Sequence, residues 1–307
     1  MVNPASRRGA RQEEIALRAF HEAGTVCDVV RTERPGHGAE VAERSGRDYD
    51  AVFALGGDGT VMEVVGALAH SSIPVGVLPG GTGNLIARTL GIPPDVGDAV
   101  RELLRGEEAR IDLGRIGDRR FAFAAGVGID AAMVEETPSH MKRRLGVWAY
   151  AMTATRAAMR RDAFEVRAVV DGVEHRRMAT AVLIANFGAL FDELFVVGPG
   201  IRSDDGTLDL CVYSPESLWD SVRIAWRLLR KDFRTDPRML YASGRRIELH
   251  TDPPRPYQAD GDLLGMTPFT VDVEPLAAHV LLPRRDRSSA ALPPAPHPAP
   301  PAAAPRG

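Results

Sequence analysis

The chain has 307 residues, enough for two domains, and is 44% hydrophobic, enough for a sizeable core. Its 38 basic and 41 acidic side chains leave a formal net charge of −3, which argues against a nucleic-acid binder held by overall positive charge. Two cysteines, Cys27 and Cys211, exclude a disulfide framework or a four-cysteine zinc site, and the only lysines, Lys142 and Lys231, follow no glycine-rich loop, which removes a Walker A P-loop and a kinase strand lysine.

No apolar run approaches the ~20 residues of a membrane span, and no secretory segment opens the chain. The expectation is a soluble cytoplasmic protein that touches a membrane only from outside. In chain order, Val2-Asn3-Pro4 reads as the end of a strand whose beginning is missing. Val26 to Arg31, Asp50 to Leu55 and Ile73 to Leu78 read as strands, with helical patterns at Glu63 to Ala69, Leu85 to Leu90 and Asp98 to Leu104. That alternation is the habit of a parallel sheet covered by crossover helices. From Ala109 the rhythm becomes strand-rich: Ile111 to Ile116, Arg120 to Gly126, Glu165 to Asp171, Met178 to Asn186, Leu208 to Ser214, Arg246 to His250 and Thr270 to Glu274. Asp171-Gly172 and Asp205-Gly206 supply tight turns, and helices interrupt near 139 to 161 and 216 to 233. The pattern gives an α/β domain over residues 1–110, an antiparallel strand-rich domain over 111–283 and a disordered Pro/Ala-rich tail over 284–307.

Two turns carry the chemistry. Gly56-Gly57-Asp58-Gly59-Thr60 follows an apolar strand and opens a helix, so unhindered main-chain N–H groups and the helix N-terminus can approach a phosphate. An aspartate there repels phosphate unless Mg²⁺ neutralises it; the alternative is that Asp58 caps the helix. Pro79-Gly80-Gly81-Thr82-Gly83-Asn84 repeats the design one strand later, and both turns face the same sheet edge.

These turns resemble those of the diacylglycerol and sphingosine lipid-kinase family. Ala87 to Pro93, Val2 to Ser6, Gly126 to Ala131, Asp205 to Leu210 and Gln258 to Asp262 fit the same family in order. The resemblance implies a Rossmann-like N-terminal nucleotide-binding domain, a β-sandwich C-terminal domain of the NAD kinase/diacylglycerol kinase kind whose last strand returns to the first domain, and ATP- and Mg²⁺-dependent phosphoryl transfer to a lipid hydroxyl at a membrane surface. It implies nucleotide contacts from Asn3, Gly56, Gly57, Asp58, Gly59, Thr60, Gly80, Gly81, Thr82, Gly83 and Asn84, and catalysis by Asp260 as base with Asp262 and Asp58. It further implies metal contacts from Asp58, Asp205 and Asp262, and acceptor contacts from Asp130 and position 85, where Leu85 replaces the aspartate of many diacylglycerol kinases. Hairpin or tight turns at Asp260-Gly261-Asp262 and Asp205, and a helix cap at Asp130, are the plainer alternatives. Gly126 to Ala131 also satisfies GxGxxA, but the acidic partner of a dinucleotide site is absent.

Trp219, Val222, Trp226 and Leu229 stand at helical spacing among Arg223, Arg227, Arg230, Lys231 and Arg234; Lys142-Arg143-Arg144 precedes Trp148. Either segment suits an anionic membrane, or packs its apolar stripe on the sandwich. Both cysteines read as buried apolar residues, the histidines show no metal spacing, and no protein partner is identifiable, with a homodimer left open. The rival functions are a non-catalytic nucleotide- or lipid-binding regulator of the same fold and a kinase of a soluble polyol or dinucleotide.

Overall fold

A computed structural model describes residues 1–3, 9–81, 83–128, 163–190 and 195–284. The first unit is α/β. Helices α1 (Gly9–Glu22) and α2 (His37–Ser45) precede β1 (Val52–Gly56), α3 (Asp58–Ala67), β2 (Val75–Pro79), α4 (Leu85–Thr89) and α5 (Val96–Leu104). β1 and β2 are parallel and in register, Val52 opposite Val75 through Gly56 opposite Pro79. They are buried nearly throughout, as a strand covered on both faces must be. Val2 extends this sheet through bridges to Leu55 and Arg31. Helix α1 lays Ala16, Ala19 and Phe20 into the core, and Asp95 caps α5 by accepting the Asp98 N–H at 3.0 Å.

The second unit is a sandwich. Its strands are β3 (Glu107–Ile116), β4 (Arg119–Phe121), β5 (Ala124–Gly128), β6 (Phe164–Val170), β7 (Val173–Ala179), β8 (Ala181–Ala185), β9 (Ala189–Leu190), β10 (Phe195–Val196), β11 (Leu208–Tyr213), β12 (Met239–Gly244), β13 (Arg246–Asp252), β14 (Pro256–Ala259), β15 (Asp262–Met266) and β16 (Phe269–Leu282), with α6 (Leu218–Leu229) between β11 and β12. One sheet runs β12-β11-β8-β5-β14-β15, and the other β1-β2-β16-β13-β6-β7, with β3 also on β16. Alternate residues of β6 (Phe164, Val166, Ala168, Val170) meet Val182 and Ile184 of β8 and Leu208, Leu210 and Val212 of β11 in one core. β3 and β16 pair from Asp272 opposite Arg115 to Leu282 opposite Glu107, interrupted between Glu274 and Ala278. This ribbon belongs to both units, and Val280 of β16 also sits beside Val75 of β2.

Several expectations need correction. Val26 to Arg31 is not a buried strand: it is extended with one bridge at Arg31, and Val26 is 97% exposed. Cys27 is therefore exposed, whereas Cys211 is buried. Met178 to Asn186 is two strands, β7 and β8, broken at Thr180. Gly126 and Gly128 belong to β5, opposite Leu183 and Ala181, and the rest of GxGxxA lies outside the described residues. Helices α1 and α2 and strand β12 had no sequence expectation. Residues 139–161 and the tail from 285 lie outside the described residues.

Candidate active site

The two glycine turns leave neighbouring strand ends and touch through their backbones. The Gly80 N–H donates to the Gly56 carbonyl at 2.8 Å. A Cβ added to Gly80 would stand 2.8 Å from the Gly56 nitrogen, and one added to Gly81 would stand 2.6 Å from the Gly57 Cα. Only glycine permits that approach.

The turns are also tied by side chains. Asp58, the first residue of α3, accepts the Ile86 N–H at 2.9 Å, so it caps α4 of the neighbouring turn rather than its own helix. Its other oxygen lies against Gly83, 3.2 Å from where a Cβ would be. Asn84 holds the second turn closed: its Oδ1 accepts the Gly81 N–H at 2.8 Å and its Nδ2 donates to the Gly81 carbonyl at 3.0 Å. It does so from a left-handed φ of 50°, which asparagine tolerates. Asn3 donates to the Thr60 hydroxyl at 3.0 Å, joining the first residues to the first turn. The N–H groups of the first turn of α3 have no partner within that helix and point out of its N-terminus. Thr82 and Asp130 lie outside the described residues, and Leu85 is the half-buried first residue of α4.

Asp260 approaches from the other unit. It sits at the tip of the β14–β15 hairpin, with φ of 47° at Asp260 and 95° at Gly261, the left-handed pair of a type I′ turn. The hairpin alternative is thus correct as local structure, and it also delivers the carboxylate inward. Asp260 accepts the N–H groups of Ala122 at 2.7 Å, Phe123 at 2.9 Å and Ala124 at 3.0 Å. Burial raises its pKa and outweighs the three N–H donors; with a small push from the Asp58 charge it stands at about 6. The Asp58 carboxylate is thus near enough for its charge to act on Asp260.

Behind that carboxylate is a residue whose part in the site the sequence did not reveal. Asn186 is fully buried and donates from Nδ2 to the carbonyls of Asp112 and Ala122, each at 2.7 Å, while its N–H reaches the Phe123 carbonyl at 2.9 Å. It therefore fixes the 122–124 segment whose N–H groups hold Asp260. Nothing in a pattern of residue types announces main-chain donors.

The expected metal set is not assembled. Among the described residues, no three His, Cys, Asp or Glu side chains come together as a metal-binding group. Asp262 is exposed and lies 3.6 Å from Arg119, beside a groove of about 510 Å³ lined by Ile116, Tyr257, Leu263 and Leu264. Asp205 forms its own turn, its Oδ1 accepting from the Thr207 N–H at 3.0 Å and hydroxyl at 2.8 Å. The buried carboxylate nearby is Asp112, which accepts the N–H groups of Gly206 and Leu276, each at 2.7 Å, and whose pKa is raised by burial. An acid inside the apolar run Ile111 to Ile116 was its one visible signal.

Residues 1–116 match the model of the diacylglycerol kinase catalytic domain, and residues 124–282 match that of the YegS C-terminal NAD kinase beta sandwich-like domain. A diacylglycerol kinase of Bacillus subtilis is 29% identical over 276 residues, 87% of this chain and 90% of that one. An uncharacterized protein of Synechocystis sp. is 32% identical over 247 residues; the match takes in 78% of this chain and 57% of that protein's length. A crystal structure of a putative diacylglycerol kinase from Bacillus anthracis shares the fold with a TM-score of 0.75 at 21% identity, covering 92% of this chain and 95% of that one. Two matched domains in order, together with a diacylglycerol kinase relative matched over 87% of the chain, fix the assignment: the chain belongs to the diacylglycerol kinase catalytic domain family of lipid kinases, phosphotransferases with an alcohol group as acceptor.

Proposed function

We propose that the chain transfers the γ-phosphoryl group of ATP to a hydroxyl of a membrane lipid such as diacylglycerol, working at the membrane surface from the cytoplasmic side. The observation that carries this reading is the backbone contact between the two glycine turns, with Asp260 of the other unit within electrostatic reach of Asp58. In this reading the main-chain amides around Gly56, Gly57 and Gly59 and around Gly80, Gly81 and Gly83 hold the polyphosphate, with Asn3 and Asn84 keeping the turns in shape.

The donor set fits Mg²⁺ brought by the nucleotide rather than a cage made by the protein. Asp58 keeps one carboxylate oxygen beyond its bond to Ile86, its charge acts on Asp260, and no third acid joins them as a metal-binding group among the described residues. Mg²⁺ would supply charge neutralisation of the phosphates. Asp58 would hold it; Asp205 and Asp262 stand outside that contact.

Asp260 accepts the proton of the acceptor hydroxyl. Three of its roughly four lone-pair positions take backbone N–H groups, which fixes the carboxylate in orientation and leaves one position on Oδ2 for the proton. A base near pKa 6 is ionised at neutral pH yet keeps a useful proton affinity. Among the described residues no helix is long and apolar enough to cross a membrane, so this reading has the enzyme meet its acceptor at the bilayer surface. The test is incubation with Mg²⁺ and γ-labelled ATP against diacylglycerol, a sphingoid base, glycerol and NAD. Label in the organic phase supports the reading. Label only on a soluble acceptor, or ATP binding without transfer to any, refutes it.

A further inference from the structure

Helix α6 leaves an apolar face uncovered. Trp219, Val222 and Trp226, at i, i+3 and i+7, are 82%, 49% and 57% exposed, while Ile224 is 6% exposed and anchors the helix. Two of the chain's three tryptophans thus stand outward, contrary to the usual packing of such a stripe on a sheet. The arginines do the tethering instead. Buried Asp236 receives Arg223 at 2.7 Å and Arg227 at 2.6 Å, and Asp232 receives Arg234 at 2.8 Å. Arg230 lies over the Trp226 ring, 5.5 Å from its centroid. Glu216 and Asp220 open the helix, yet residues 216–238 carry six basic side chains against four acidic ones, in a chain whose net charge is −3.

We propose that α6 is the surface by which this kinase docks on an anionic phospholipid bilayer, Trp219, Val222 and Trp226 entering the headgroup boundary and Arg230 and Lys231 meeting lipid phosphates. The proposal rests on the lipid-kinase reading and adds the surface and the lipid charge. Tryptophan suits that boundary, with an apolar ring and a polar N–H. Charge selects the bilayer over a second copy of the chain. A two-fold contact through this face would set one cationic rim against another, whereas an anionic surface complements it.

The experiment compares the full chain with a Trp219→Ala/Trp226→Ala variant, whose exposed sites leave the core untouched. Both are sedimented with vesicles of phosphatidylglycerol and phosphatidylcholine or of phosphatidylcholine alone, and assayed on long-chain diacylglycerol in those vesicles and on dispersed dioctanoylglycerol. The expected result is salt-sensitive binding of the parent to the anionic vesicles, at least tenfold weaker in the variant. Transfer to the long-chain acceptor falls in step, while transfer to dioctanoylglycerol stays within twofold. Unchanged binding in the variant, no preference for anionic vesicles, or loss of a dimer in sedimentation velocity with vesicle binding intact would overturn the proposal. Tryptophan-dependent binding without transfer to either acceptor would uphold the docking surface and refute the kinase reading alone.

Discussion

At Asp260 two influences oppose each other: burial favours the protonated acid, and three main-chain N–H groups favour the carboxylate, leaving a pKa of about 6. If this carboxylate takes the acceptor's proton, kcat/KM falls about tenfold per pH unit below 6 and levels above it. A profile with no inflection between pH 5 and 7 would remove Asp260 as the base. Because the folded state binds this proton more tightly than the unfolded chain does, the stability it contributes is full below about pH 4 and is lost as pH rises to about 6. Asn186 acts one step behind. Asn186→Ala leaves two buried carbonyls without their donor, at a cost of about 1–3 kcal/mol, and loosens the N–H groups that favour the ionised acid. Its predicted signature is an acid limb moved to higher pH, beyond a lower Tm; an unmoved limb would make Asn186 purely structural. Asp260 was legible because Asp-Gly-Asp is a recognisable turn in a recognisable place. Its three partners were not, since backbone donors at 122–124 leave no trace in residue identity.

The paired turns make their own prediction at the level of elements. In Gly81→Ala the new methyl meets the Gly57 backbone at 2.6 Å, so the turns must part; about 1–3 kcal/mol of stability and at least tenfold in ATP affinity should go with them. Gly59→Ala is the contrast, since nothing lies within 4 Å of its Cβ and it falls inside α3, where alanine is favoured by up to about 1 kcal/mol. Thermal denaturation of both variants and nucleotide titration of Gly81→Ala check this; equal stability of the two would contradict the close contact of the turns. β1 and β2 were legible as apolar runs ending in glycine. Val26 to Arg31 misled because β-branched residues favour extension without saying whether anything covers them. The stripe on α6 was legible too, but not its direction: a helical period locates a face, and only tertiary packing decides whether tryptophans or arginines turn inward.

Across the whole molecule, the β3–β16 ribbon joins the α/β unit to the sandwich, and Glu274 secures the junction. Arg120 donates to it at 2.6 Å and also reaches the Gly66 carbonyl of α3 at 3.2 Å, while Arg115 stands at 2.9 Å and His70 at 3.5 Å. Burial alone would raise the Glu274 carboxyl, but the Arg120 hydrogen bond and the surrounding charges hold it below the usual glutamate range. Its contribution to stability is therefore present above the unfolded value near 4.3 and is lost as pH falls through the depressed one. Glu274→Gln should cost about 1–3 kcal/mol at neutral pH and little in strong acid; a Tm difference independent of pH would show that the junction does not depend on this charge. The two-unit architecture was legible from the change of rhythm near Ala109. A last strand returning to the first unit was among the expectations, but the extent of β16 was not legible, because only Thr270 to Glu274 reads as a run and Pro275 conceals its continuation. The account rests on the sandwich acid completing the site that the glycine turns begin. Asp260→Asn tests it most directly, with ATP affinity and single-turnover transfer of the γ-phosphoryl group to diacylglycerol measured on the same preparation. The account predicts affinity within a few-fold of the parent and transfer lower by about 10²–10⁴. Transfer at the parent's rate would contradict it.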